Sequence, residues 1–191
     1  MSIHKLKIGE VPQAHFTNRW STLYMKLMSS NRWAAEPKKP GQRCFCITHR
    51  DGVSYVLRNG DTHPWDSYIS KQIPMDKLPI HTILDGTIET DFGCLFRVFD
   101  ILWSSGADVR SVKYRRRKAI VSRLFNANKF GPRVVTVPGG ISGQAKAGVF
   151  SCLKEDDTGV VFKHITAPYP RQSKDGARTR SWISCEFDTE R

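Results

Sequence analysis

The octet Glu36-Pro37-Lys38-Lys39-Pro40-Gly41-Gln42-Arg43 groups a carboxylate, two lysines and an arginine around a proline that contributes no backbone N–H. From Arg43 onward the apolar pattern alternates. Arg43 to Thr48 and Val53 to Arg58 read as strands, and the Asp-Gly of His49-Arg50-Asp51-Gly52 between them is a hairpin signal. Upstream, Trp20, Leu23, Tyr24, Leu27 and Met28 recur at helical spacing and predict a helix over 17–30, with Thr17 as its N-cap. Downstream, residues 62–79 are rich in Pro, Asp and Trp and read as irregular. Ile80 to Glu89 and Leu95 to Leu102 are two further strands around Asp91-Phe92-Gly93. Val109 to Phe125 predicts a second helix with Val112, Ile120, Val121, Leu124 and Phe125 on its apolar side. Short strands follow at Val134 to Val137, Val160 to Ile165 and Trp182 to Phe187. Pro138-Gly139-Gly140 precedes a small-residue segment reaching Ser151, and Pro168 to Arg180 reads as a polar, basic loop. Many strands, few helices and hairpin chemistry predict an α+β fold with largely antiparallel sheets.

A chain of 191 residues fits one domain with a substantial core. With 39% hydrophobic and 25% charged residues it reads as a soluble globular protein and not as a disordered one. Thirty Lys+Arg against 18 Asp+Glu leave a net charge of +12. A surplus of that size attracts polyanions through counterion release and long-range steering. The five cysteines (Cys44, Cys46, Cys94, Cys152 and Cys185) are odd in number and form no C-x-x-C pair, which argues against a zinc site and against a secreted disulfide framework. The sequence shows no N-terminal h-region and no run of about 18 apolar residues. The expectation is a cytoplasmic protein without membrane contact.

The octet nearly spells E-x-K-x-D-G-x-R, with Pro40 where the aspartate would stand. Other short elements follow in order: Arg58-Asn59-Gly60 against R-x-G, Leu84-Asp85-Gly86-Thr87 against L-D-G-E, and Phe99-Asp100-Ile101-Leu102. Thr158-Gly159-Val160-Val161-Phe162-Lys163 stands against E-G-x-x-x-K, and Trp182-Ile183-Ser184-Cys185-Glu186 against W-x-K-x-K. In this order and spacing the chain resembles the nucleotidyltransferase domain of the ATP-dependent DNA and RNA ligase and mRNA capping enzyme superfamily, from about Ala34 to Phe187. The resemblance implies a ligase-like fold, largely antiparallel sheets flanked by helices around a cleft. It implies one domain over 1–191, with 1–33 as an N-terminal helical lead-in and 34–187 as the motif-bearing core. It also implies that Lys38 is the position at which a lysyl-adenylate forms, that Arg58 holds a nucleotide or an end phosphate, and that Phe96 stacks on a base. Taken alone, Lys38 is one more solvated lysine, Asn59-Gly60 a tight turn and Phe96 a core residue.

Matched position by position, the family's carboxylates are replaced at Pro40, Thr87 and Thr158, and its two last lysines at Ser184 and Glu186. Asp156 and Asp157 are poor substitutes for the carboxylate at Thr158, because an offset of one residue in a strand points to the other face. Phosphate chemistry needs a metal held by carboxylates and cations aimed at the developing charge. The expectation is therefore a non-catalytic nucleic-acid binder without metal or cofactor, favouring RNA or single-stranded DNA. The alternatives are an active ligase using Lys38, and a structural protein whose basic surface meets a protein partner. The candidate phosphate contacts are Lys38, Lys39, Arg43, Arg58 and Lys163, the run Arg115, Arg116, Arg117 and Lys118, and the loop cations Arg171, Lys174, Arg178 and Arg180. Phe96 and Tyr169 are the leading candidates for base stacking, with Trp65, Tyr68, Trp103 and Trp182 behind them.

Overall fold

The computed structural model describes residues 14–18, 21–64, 67–73, 75–90, 93–153, 157–170 and 179–187. In chain order the elements are β1 (Ala14–Asn18), α1 (Thr22–Ser29), β2 (Trp33–Lys38), β3 (Gln42–Thr48), β4 (Val53–Leu57), β5 (Thr62–His63), α2 (Tyr68–Gln72), β6 (Ile83–Glu89) and β7 (Leu95–Ser104). They continue with β8 (Ala107–Asp108), α3 (Tyr114–Ala127), β9 (Val134–Thr136), α4 (Gly143–Ser151), β10 (Gly159–His164) and β11 (Thr179–Glu186). Two sheets result. One has the order β1-β11-β10-β2, the other β5-β4-β3-β6-β7-β8 with β9 beside β7. Pairing is antiparallel except at β1–β11 and β7–β9.

Strand alternation sorts the apolar residues into three layers. Val160 and Phe162 on β10, with Ile183 and Cys185 on β11, face Tyr24 and Leu27 of α1 and Phe150 of α4. Cys44, Cys46, Leu84, Phe96 and Val98 of the larger sheet face Val121 of α3. Between the sheets lie Phe45, Ile83, Leu102, Tyr169 and Trp182. The site described below sits beside this middle layer.

Several boundaries differ from the sequence reading. The helix expected over 17–30 is α1, and its N-cap is Ser21, whose Oγ accepts from Tyr24 N at 3.0 Å. Thr17 belongs to β1 and bonds Ser21 Oγ at 2.6 Å. The expected helical lead-in thus holds a strand, paired with β11 near the other end of the chain, a contact that local periodicity does not encode. The second helix starts at Tyr114, where the backbone N–H groups of Tyr114 and Arg115 donate to Ala167 O and Ile165 O. The segment 62–79 contains β5 and α2, and the small-residue segment reaching Ser151 contains α4. Two glycines and no sustained apolar stripe hide α4 in the sequence.

What holds α4 in place is Lys146, fully buried, whose Nζ donates to Leu27 O (2.7 Å), Ser30 O (2.6 Å) and Met28 O (3.3 Å). These are carbonyls left open at the end of α1, where a cation also meets the negative end of the helix dipole. Burial lowers the pKa of this amine, and its three acceptors leave it fully engaged. Lys146→Met, close in length but without donors, is expected to lower stability by about 2 kcal/mol, the range of hydrogen bonds to a charged group. Urea denaturation followed by circular dichroism measures it, and an unchanged midpoint would refute the role.

Candidate functional site

A cavity of about 310 Å³ opens between the two sheets, a size within the usual range of small-ligand clefts. One wall is the inner face of the four-stranded sheet. Its register aligns Lys38, Gly159 and Glu186 in one cross-strand row, Glu36, Val161 and Ser184 in the next, and Ala34, Lys163 and Trp182 in a third. Arg43 of β3, Thr87 of β6 and Phe99 of β7 form the facing wall, with Arg58 just past β4. The turn at Gly41 joins the walls. Its φ is +104°, and a Cβ there would lie 2.6 Å from Ile88 O, so glycine alone fits.

Most of the cavity's cations are already paired. Lys38 Nζ donates to a Glu186 carboxylate oxygen. Strands two apart in a sheet are separated by roughly 10 Å, and the missing side chain of the intervening Gly159 leaves the route open. A Cβ at Gly159 would come within 2.2 Å of Cys185 O. Lys39 pairs with Asp157 at 2.7 Å. Arg43 grips Asp85 with two bonds, 2.6 and 3.0 Å, and Tyr169 Oη donates to the same carboxylate at 2.6 Å. Burial, reinforced by Asp85, pushes the Tyr169 phenol well above its ordinary pKa, which keeps it a donor.

Glu36 is the most heavily engaged group. Tyr114 Oη donates to its Oε1 at 2.6 Å, Lys118 Nζ to the same oxygen at 2.5 Å, and Lys163 Nζ lies 2.6 Å from its Oε2. Burial raises the Glu36 pKa, but Lys118 and Lys163 outweigh it and leave the carboxyl below its ordinary 4.5. Burial lowers the Lys163 pKa against the opposing pull of Glu36. The Lys163 ammonium also lies 4.5 Å from the ring centres of both Phe99 and Trp182, a cation–π arrangement. Among the described residues, Arg58 is the cavity cation without a carboxylate partner. Thr87 Oγ1 and Ser184 Oγ are buried and unbonded.

The structure divides the candidate contacts. Lys38, Lys39, Arg43, Arg58 and Lys163 converge on the cavity. The basic run on α3 splits by helical direction. Arg115 and Arg116 are exposed, whereas Arg117 is fully buried, bonding Asp100 at 2.8 and 2.9 Å, and Lys118 turns inward to Glu36. Neither Arg117 nor Lys118 can serve as a surface phosphate contact, because each compensates a buried carboxylate. Arg180 is exposed on β11, and Arg171, Lys174, Arg178 and Trp65 lie outside the described residues.

The two leading stacking candidates are corrected. Phe96 is fully buried against Tyr55 in the core, and Tyr169 is buried with its hydroxyl on Asp85. Tyr68 is exposed on α2, and Trp103 stacks with Arg110 at 4.6 Å. The aromatics that do line the cavity are Phe99 and Trp182. Phe96 and Phe99 are an odd number of residues apart, so they point to opposite faces. Phe99 also sits where the register steps from Asp85↔Asp100 to Gly86↔Val98, a bulge that aims the unpaired residue. Strand parity separates the two positions in the sequence, but it does not say which face holds the cavity.

No family model matches this chain. Over 85 residues, 44% of the chain and 15% of the relative, it is 38% identical to a probable DNA ligase of a Nocardioides species. Among solved structures, the ligase domain of M. tuberculosis LigD superposes with a TM-score of 0.65 at 18% identity, over 92% of this chain and 59% of that one. Mycobacterial DNA ligase D complexed with ATP and MES gives 0.65 at 19%, over 92% and 60%. The fold is that of a DNA ligase adenylation domain. A third ligase-like match is a Lig E DNA ligase studied for DNA binding with a minimal scaffold, with a TM-score of 0.58 at 14% identity, over 93% of this chain and 69% of that one. The ligase-like chain thus spans less than two thirds of the curated relative and of the two mycobacterial structures.

The Glu36 cluster generates a pH-dependent expectation. Glu36→Gln strands the buried Lys163 charge and removes the carboxylate from half-buried Lys118, and should cost about 3–5 kcal/mol at neutral pH, the penalty of breaking a buried pair. Because the folded-state pKa of Glu36 is lowered, its contribution is complete above its ordinary 4.5 and is lost as pH falls through the lower folded value. The stability gap between wild type and Glu36→Gln should therefore narrow below pH 4.5. Chemical denaturation across pH 3–7, a window of ~4 units around that transition, checks it. A gap constant with pH would contradict the assignment.

Proposed function

We propose that this protein binds nucleic acid on a ligase-type scaffold without joining it. The observation that carries the reading is the Lys38–Glu186 pair. A triphosphate approaching Lys38 also meets the half-exposed Glu186 carboxylate, and like charges at contact distance oppose binding. The carboxylates near the cavity, Glu36, Asp85, Asp157 and Glu186, are each paired with a lysine or arginine. That donor set is a poor fit for Mg²⁺, which takes oxygens not already neutralised by protein cations. Phe99 and Trp182 line the cavity, but their rings already meet edge to face at 6.4 Å with the Lys163 ammonium 4.5 Å from both, so they offer a base ring edges and no slot.

The chain's net charge of +12 supports a polyanionic partner. The expected preference for single strands and RNA rests on a cleft that offers aromatics and cations to unstacked bases, with Phe96 and Tyr169 as its leading stackers. With both buried, backbone contact carries the interaction, and DNA stands ahead of RNA, in keeping with relatives that are DNA ligases. The second reading is adenylyl transfer at Lys38, favoured by one observation: Lys38, Phe99 and Trp182 share a nucleotide-sized cavity.

One pair of assays separates the readings. Fluorescence anisotropy with duplex DNA, single-stranded DNA and single-stranded RNA, without ATP, should show binding that weakens steeply with salt, by about 0.9 log units per phosphate contact for each tenfold rise in salt on a duplex. Incubation with labelled ATP and Mg²⁺ should leave no label on the protein. Label that vanishes in Lys38→Ala would establish adenylyl transfer and overturn the non-catalytic reading.

A further inference from the structure

We infer that the backbone of a DNA duplex docks on the outer face of α3, away from the cavity, through Arg115, Arg116 and Arg123, with Lys113 and Lys129 at the two ends of that helix. This rests on the nucleic-acid reading and assigns it a surface. From Val109 to Lys154 the sequence contains no Asp or Glu and eleven Lys or Arg. The fold uses some of those cations internally: Arg110 on Asp108, Arg117 on Asp100, Lys118 on Glu36 and Lys146 on the end of α1. Lys113, Arg115, Arg116, Arg123 and Lys129 are exposed, and none has a side-chain partner among the described residues.

Their arrangement is directional. At about 100° per residue, Tyr114, Arg117 and Val121 mark the buried side of α3, and Ala119 and Asn126 the opposite side. Arg116 and Arg123 flank that outer strip on one edge and Arg115 on the other. The strip between them is Ala119 and Asn126, short side chains that allow close approach. Arg116 and Arg123 are two turns apart, about 10 Å along the axis. That spacing lets them meet phosphates bordering a groove about 6–12 Å wide, the range of duplex DNA.

A merely solvated helix would carry its charges the other way. Acids favour the first turn and bases the last, each worth about 0.3–1 kcal/mol. α3 has no acid in its first turn, no base in its last, and no side-chain N-cap bond, while Lys113, Arg115 and Arg116 crowd its positive end. The first backbone N–H groups are meanwhile taken by Ala167 O and Ile165 O. Side chains, not the helix terminus, are what this surface offers to an anion.

The experiment is anisotropy of a short labelled DNA duplex against wild type, the triple variant Arg115→Glu/Arg116→Glu/Arg123→Glu, and the milder Arg115→Gln/Arg116→Gln/Arg123→Gln, each checked for native circular dichroism. Arg50→Glu, exposed in the β3–β4 turn, is the charge control. The glutamate triple should weaken binding at least tenfold, and the glutamine triple should lower the salt slope by about 0.9 per arginine, with Arg50→Glu close to wild type. If the glutamate triple does not fold, the salt slope of the glutamine triple decides alone. Wild-type binding that survives both triples but falls in Arg58→Ala would overturn this surface while leaving nucleic-acid binding intact. No duplex binding by wild type, or tighter binding to anionic vesicles or an acidic peptide, would overturn both.

Discussion

The Glu36 carboxylate is the charge around which the two sheets are joined. It lies on β2, takes Lys163 from β10, and takes Tyr114 and Lys118 from α3, the helix that covers the larger sheet. Burying a carboxylate is costly, and the cost is offset only when its oxygens are bonded and its charge is balanced. Both conditions hold here. The four-stranded sheet is thereby tied to α3 and, through α3, to β7. Asp85 and Asp100 repeat the solution on the other side of the cleft, each held by two bonds from one arginine, Arg43 and Arg117.

This wiring changes what the cavity can do. Its positive side chains are largely committed to carboxylates that belong to the scaffold, so a site that looks strongly basic in the sequence is close to balanced in the fold. Among the described residues, apart from Arg58, much of the uncommitted charge lies outside, on and around α3, within a stretch of 46 residues from Val109 to Lys154 that contains no acid. The proposed nucleic-acid binding rests on this contrast between balanced inner charges and unbalanced outer ones.

Much of the architecture was legible from the chain. The hairpin at Asp51-Gly52, the strands around Asp91-Phe92-Gly93 and the apolar side of α3 all carry local signals, because turn chemistry and side-chain period act over a few residues. The spacing of Glu36, Arg58, Asp85, Asp100, Lys163 and Trp182 was enough to anticipate a ligase-like cleft. Boundaries set by distant contacts were not legible. β1 exists because β11 pairs with it in parallel, and α4 is positioned by a lysine capping a helix more than a hundred residues earlier.

The sequence by itself determined the periodicities, the turns and the excess of positive charge, since each is a property of neighbouring residues or of their sum. Tertiary structure alone decided which charges remain available. Lys38 meets Glu186 because Gly159 leaves a gap between them, Arg117 turns inward while Arg116 turns out, and Phe99 rather than Phe96 reaches the cavity. A charge is free or spent according to what packs against it, and that partner is set by register and helical direction across the whole chain.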